Sequence, residues 1–259
     1  MKILTLVENC VQKRNLLAEH GLSFYIETRN KKILFDTGQS DILIHNAKQL
    51  GADLRDIDTI VISHGHYDHT GGLAWLLDIN KKASIYIKKE ALSPKYGRLI
   101  FAEGRNLDLS EIEKRVEYVS SPLEIDKDLF IMPDINILNP ADTSFDGEDK
   151  FEDELFLAVK GPEGVSVISS CSHNGITNIA GTACSFFGLP LDLILGGFHT
   201  RAASLLKMET ISEVLRSLSP KSIGVCHCTG WNNYFILRTE LPDCNVFYNQ
   251  TGNCIVINS

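Results

Sequence analysis

The chain predicts an α/β (α+β) fold. One domain across residues 1–259 is expected, a four-layer αββα sandwich with two facing mixed β-sheets and helices outside. Three observations predict it. Apolar, β-branched runs such as 58–62 and 191–195 are short and continuous, as in strands buried on both faces. Such runs end in polar loops that lead into helical patterns, the βα order of a parallel sheet. The second half also repeats the first half's order of hairpin, polar loop, helix, strand and polar loop, so two similar halves can pack as two sheets.

The elements follow in order. Residues 1–8 read as a first strand; their apolar run is too short, and too soon acidic at Glu8, for a signal peptide. Residues 9–19 are polar and loop-like. Residues 21–28 alternate apolar and polar, Asn30-Lys31-Lys32 makes a turn, and 32–35 returns as a hairpin strand ending in Asp36-Thr37-Gly38. Ser40 is placed to cap a helix running to Leu50, with Leu43, Ala47 and Leu50 on one face and Gly51 closing it. Strand 58–62 precedes the loop 63–72, a helix leaves Gly71-Gly72, and 83–87 is another strand. Residues 88–122 are less regular and carry Lys88, Lys89, Lys95, Arg98, Arg105, Tyr96 and Phe101. They read either as an insert covering a site, with cations for an anionic substrate, or as solvated surface. Strand 129–132 leads to an acidic loop, 133–154, read as mostly solvated. A hairpin follows at 155–169 around Gly161-Pro162-Glu163-Gly164, then strand 191–195. A helix with Met208, Ile211, Leu215 and Leu218 on one face is stopped by Pro220, and strand 223–225 comes last.

The totals exclude several classes. A net charge of −8 argues against wrapping nucleic acid non-specifically. No run of 18 apolar residues predicts a membrane span. Seven cysteines form no even framework and no Cys-x-x-Cys pair, and with no export signal the expectation is reduced thiols in the cytoplasm. Neither Gly-x-Ser-x-Gly nor Gly-x-Gly-x-x-Gly occurs, so serine-hydrolase and dinucleotide-binding readings are weak.

The chemistry concentrates in Ser63-His64-Gly65-His66-Tyr67-Asp68-His69-Thr70-Gly71-Gly72. Four donors within six residues cannot all face one way on a strand or helix; a tight loop can turn them inward. Of the eight histidines, three lie here. His173, His199 and His227 each terminate a predicted buried strand, and only His20 and His45 fall elsewhere. One strand-end histidine is ordinarily a satisfied core residue; three at equivalent positions point to one shared site.

His-x-His-x-Asp-His followed by Gly-Gly resembles the signature of the metallo-β-lactamase superfamily. Further pieces are Val7-Glu8-Asn9, Ala18-Glu19-His20-Gly21-Leu22-Ser23, Phe35-Asp36-Thr37-Gly38-Gln39, Cys171-Ser172-His173, Gly196-Gly197-Phe198-His199 and Cys226-His227-Cys228-Thr229-Gly230. They narrow the resemblance to a branch similar to 7,8-dihydropterin-6-methyl aminobenzene-ribofuranose phosphate synthase-like metal-dependent hydrolases. The resemblance implies two divalent cations. His64 and His66 would hold one, with His173 as third ligand; Asp68 and His69 would hold the other, completed by His227. Asp36 would fix loop amides or a ligand imidazole from behind. This sequence departs from the common superfamily pattern at the bridging position, where the strand ending at Ser170 offers Cys171 and His173 and no carboxylate. Cys171 either bridges as a thiolate, since zinc accepts sulfur at roughly 2.3 Å, or is a small buried residue. Cys226 and Cys228 read as packing residues that alternate away from His227 along an extended chain.

The expected chemistry is hydrolysis by a hydroxide held between two cations that lower its pKa, with Asp68 orienting it. His199, at the rim, would donate a proton to the leaving group. The expected substrate is small and anionic, a phosphate-containing compound or an ester, and displacement of phosphate or pyrophosphate is included. Zinc suits the imidazole-rich set, with iron, manganese or nickel as alternatives. The competing readings are a di-iron oxidoreductase on the same fold and a non-catalytic metal-dependent binding protein. Neither nucleic acid nor membrane is expected as a partner.

Overall fold

The computed structural model describes residues 1–93, 112–145 and 149–257. Lys95, Tyr96, Arg98, Phe101, Arg105, Asp146 and Glu148 lie outside them. The chain divides into two compact units, Met1–Ser120 with Gln250–Ile257, and Ser121–Asn249.

The first unit begins with β1 (Lys2–Val7), β2 (Ser23–Glu27) and β3 (Lys32–Phe35), an antiparallel run in which Tyr25 faces Leu34 and Phe24 faces Phe35. Helix α1 (Ile42–Leu50) crosses over to β4 (Thr59–Val61). The single turn α2 (Tyr67–Thr70) and helix α3 (Leu73–Ile79) lead to β5 (Ser84–Ile87), and β6 (Val116–Tyr118) adds the edge. From β3 to β6 every pairing is parallel. Ser40 differs from the expected helix cap. Asp41 occupies the capping position without a side-chain bond, because Ser40 Oγ is held by Glu19 Oε2 at 2.5 Å while accepting from Ile42 N at 3.3 Å. Gly51 closes the helix with φ 75°, the left-handed conformation that glycine adopts without a Cβ clash.

The second unit begins with β7 (Leu123–Asp126), β8 (Leu129–Met132), β9 (Phe156–Lys160) and β10 (Val165–Ile168), each antiparallel to the one before it in this run. Helix α4 (Ile176–Phe187), β11 (Leu191–Gly197), α5 (Leu205–Leu218), β12 (Ser222–Cys226), α6 (Trp231–Glu240) and β13 (Asn245–Tyr248) follow, and β10 to β13 pair in parallel. The last strand, β14 (Cys254–Val256), belongs to the first unit and pairs antiparallel with β1. Each unit therefore has a seven-stranded mixed sheet, in the orders β14-β1-β2-β3-β4-β5-β6 and β13-β12-β11-β10-β9-β8-β7.

Each sheet has its own helix-packed core. Leu6, Leu34, Ile60, Ile62 and Ile85 pack with Leu43, Ala47, Leu73 and Leu76 of the helices in the first. Val165, Val167, Ile194, Ile223 and Val225 pack with Ile179, Ala183, Met208, Ile211 and Leu215 in the second. Every residue of β4, β9 (Lys160 aside) and β10 is buried, which explains their mostly apolar composition, with Thr59 and Ser166 as buried polar exceptions. Wound this way, the parallel strands deliver their carboxyl ends to one edge of each sheet, where open α/β sheets bind ligands. Asp36 follows β3 and the His64 loop follows the adjacent β4; His173, His199 and His227 follow the adjacent strands β10, β11 and β12.

Candidate metal centre

In the first unit the expected tight loop contains one helical turn, α2, which carries Asp68 and His69, while His66 caps it in extended conformation (φ −75°, ψ 146°). The helical turn differs from an irregular loop because the His66 carbonyl can accept from His69 N, Thr70 N and Thr70 Oγ1. The rings converge: His64 lies 4.7 Å from His66 and 4.4 Å from His69, centroid to centroid. Gly71 and Gly72 let this loop lie against the Asp36–Ser40 segment. A Cβ on Gly72 would stand 2.2 Å from Thr37 O, and one on Gly71 would stand 2.4 Å from Gln39 O.

Asp36 lies against the donor loop. Its buried carboxylate accepts from Ser63 N at 2.7 Å, Ser63 Oγ at 2.6 Å and His69 Nδ1 at 2.8 Å. Ser63 has one hydroxyl proton and gives it to Asp36, so its contact with His64 Nδ1 at 2.8 Å requires His64 to be the donor. Both imidazoles thus carry hydrogen on Nδ1, which leaves Nε2 as the coordinating nitrogen. Asp68 Oδ2 lies 3.5 Å from His69 Nε2 and 3.1 Å from His20 Nε2, so His20 also joins this half of the site. Burial works against charge on His69. Asp68 and Asp36 outweigh it and raise the pKa to about 10. A buried imidazole between two carboxylates takes up positive charge, either as a proton on Nε2 or as a cation in its place. The donor set fits a divalent cation.

The second unit carries its candidates on left-handed backbone. Ser172, His199 and His227 have φ of 58°, 49° and 51°, and Asp36 in the first unit has 59°. Each such non-glycine residue costs of order 1–3 kcal/mol, and these costs collect where the donors are presented. His173 is buried and stacks on Phe151 with centroids 3.8 Å apart and planes within 4°. Its turn is held by Glu154, which accepts from His173 N and Asn174 N at 2.7 Å each and from Asn174 Nδ2 at 2.9 Å. Burial pushes the Glu154 carboxyl up to about 7 against these donors.

The expectation that residues 133–154 are mostly solvated is corrected here. Asp142, Asp153 and Glu154 are buried, and Asp142 Oδ2 holds Thr177 N and Oγ1 at the start of α4, 2.8 Å from each. Nothing in the acidic composition distinguished them. The one available signal was the position of Glu154 directly before a hairpin strand that ends in the His173 turn.

Cys228 is buried, as a packing residue is, but by a different backbone path. The chain does not stay extended past Cys226, because His227 takes left-handed φ, and Cys228 is buried by that turn rather than by strand alternation. Its sulfur lies 3.4 Å from Cys171 Sγ and accepts from His199 N at 3.2 Å. Burial pushes the Cys228 thiol up, but Cys171, His227 and His199 outweigh it and hold the thiol well below its ordinary value. His199 is half-buried, with its ring 4.1 Å from that of His173. Burial would lower its pKa, yet Cys228 and Glu154 leave it raised. His227 is buried at the turn where Thr229 N donates to Cys226 O at 3.0 Å. His45 lies apart, bonded to Asn15 O at 2.8 Å. No disulfide joins the cysteines among the described residues, and no helix there is long and apolar enough to cross a membrane.

Comparison with known proteins places this arrangement. The family model described as metallo-beta-lactamase superfamily matches residues 17–220. An uncharacterized protein of Methanocaldococcus jannaschii, MJ0448, is 32% identical over 97% of this chain and 98% of its own length. The same organism's 7,8-dihydropterin-6-methyl-4-(β-D-ribofuranosyl)-aminobenzene-5′-phosphate synthase is 29% identical over 94% of this chain and 92% of its own. Among solved structures, Tm1679, described as a metal-dependent hydrolase of the β-lactamase superfamily, superposes with a TM-score of 0.85 at 30% identity, covering both chains fully. Zinc-bound PqqB of Methylobacterium extorquens shares the fold, with a TM-score of 0.59 at 12% identity over 99% of this chain and all of its own. By its own donor loop and by these relatives, the chain belongs to the metallo-β-lactamase superfamily.

Proposed function

We propose that the chain is a metal-dependent hydrolase with a dinuclear centre, acting on a small anionic phosphate-containing or ester substrate. The observation that carries the reading is the Asp36–Ser63–His64–His69 network, which orients two buried imidazoles with Nε2 presented and surrounds one of them with carboxylates. His64 and His66 with His173 would hold one cation, and Asp68 and His69 with His227 the other, most suitably zinc. Bound there, such cations would lower the pKa of a coordinated water and neutralise charge developing on the substrate's oxygens. Asp36 keeps His69 in one tautomer, Asp68 is the carboxylate positioned to accept a proton, and His20 bonds its Oδ2 at 3.1 Å and steadies it. The relative named as a phosphate synthase favours a second form of the same chemistry, displacement of phosphate or pyrophosphate from a phosphorylated substrate.

The test is metal analysis of purified protein together with turnover of phosphomonoester, phosphodiester, thioester and lactam probes. Zinc content with phosphoester turnover supports the reading. Bound iron with oxygen consumption would replace it with the oxidoreductase alternative. His66→Ala is expected to bring turnover to background while the chain stays folded by circular dichroism; retained activity would mean a different centre.

A further inference from the structure

Helix α5 opens with a lysine that its local electrostatics disfavour. Lys207 is the third residue of the helix, and its amide donates to the capping Ser204 Oγ at 3.2 Å. A cation in a first turn opposes the helix dipole, which favours negative charge at that end. Lys207 is also half-buried, and burial holds its ammonium below the usual lysine range. Nζ donates to Thr143 O at 2.9 Å and to Ser144 Oγ at 3.2 Å, both neutral acceptors. Among the described residues no carboxylate forms an ion pair with it. Asp142 acts on it only across a longer gap, with Oδ2 taken up by Thr177 N and Oγ1 and its carboxyl raised by burial. Three electrostatic costs stand together with nothing to offset them, a pattern that belongs to functional sites.

The ammonium stands beside the second unit's half of the site. Ser144 N donates to His173 O at 2.7 Å, so the segment that receives Lys207 is tied to the His173 turn. The charge of Lys207 also reaches His199, whose ring lies 4.1 Å from that of His173. The connection that leaves His199 for α5 carries a second cation, the exposed Arg201. Its amide donates to Cys228 O at 3.0 Å, and a Cβ on Gly230 would stand 3.3 Å from its Cα, which fixes it beside the His227 turn. A chain with a net charge of −8 thus sets two cations along the donors of its second unit. We propose that Lys207 determines specificity by holding a phosphate group of the substrate. An ammonium has three N–H donors; two are spent on Thr143 and Ser144, and the third, with the charge, is left for an anion. Its part in turnover rests on the hydrolytic reading above, whereas the anion subsite depends on Lys207 and its neighbours alone. A lysine that only ties residues 143–144 to α5 would account for the two bonds; a neutral donor would do the same without the charge.

The test titrates inorganic phosphate into the purified full chain at neutral pH and constant ionic strength, following the backbone amide signals of Ser144 and Lys207 by NMR. Wild type is expected to show a saturable shift. Lys207→Gln, which keeps a donor for Thr143 O but not the charge, is expected to weaken binding by about tenfold or more, the loss of one charge-assisted hydrogen bond. Lys207→Arg, which restores the charge, is expected to recover most of it. His64→Ala/His66→Ala, which disables the hydrolytic reading, is expected to keep the shift and its dependence on Lys207, so the two ideas fail separately. With a phosphoester probe that is turned over, Lys207→Gln is expected to raise KM more than it lowers kcat. No saturable shift in wild type, equal binding in Lys207→Gln, no recovery in Lys207→Arg, or a shift lost with His64 and His66 would each overturn the proposal.

Discussion

At the scale of single residues, what matters is which proton sits on which nitrogen. Asp36 is buried, and its three accepted bonds set the tautomer of His69 and, through Ser63, of His64. Asp36→Ala is expected to lower zinc affinity by about 10–100-fold, measured by competition with a chromophoric chelator. An unchanged affinity would show that the imidazoles need no such support. As candidates, His64, His66, Asp68, His69 and Asp36 were legible because motif residues lie close in sequence and the strand before them is unambiguous. Ser63 was not, because a serine beside a histidine has no spacing that marks it. The turn at His227 was not legible either, because no residue type at that position announces left-handed backbone in advance.

At the scale of elements, the donors depend on turns that fit only one way. Gly72 lies against Thr37 O, so Gly72→Ala is expected to destabilise the fold by about 1–3 kcal/mol in urea melts, through overpacking where backbone meets backbone. A change within measurement error would mean the loop can shift. Glu154 offers a pH dependence. Its pKa in the folded chain, about 7, lies above the ordinary 4.5. The stability it contributes is therefore full below pH 4.5 and is lost as pH rises through 7, a difference of about 3 kcal/mol. In metal-free protein, the stability gap between wild type and Glu154→Gln is expected to narrow or reverse from acid to neutral pH; a constant gap contradicts it. Hairpins 23–35 and 156–168 and helix 205–218 were readable from alternation and helical spacing. The edge strands Val116–Tyr118, Leu123–Asp126 and Cys254–Val256 were not, since they are short and largely exposed and show no buried-face pattern.

At the scale of the whole molecule, two sheets repeat one plan, antiparallel strands on one side and parallel strands on the other, with donors at the parallel carboxyl ends. That plan was visible as a repeated order of elements in the chain, although the return of the last strand to the first sheet was not. With a net charge of −8, the anionic substrate proposed above would be drawn by bound cations rather than by the protein's own net field. The measurement that bears most directly on this is zinc content by plasma mass spectrometry after equilibration and dialysis, wild type beside His64→Ala/His66→Ala. Wild type is expected to retain zinc and turn over a phosphoester probe, and the variant to lose about one equivalent along with turnover. Equal zinc in both proteins, or none in wild type, would contradict a centre built on the His64–His69 loop.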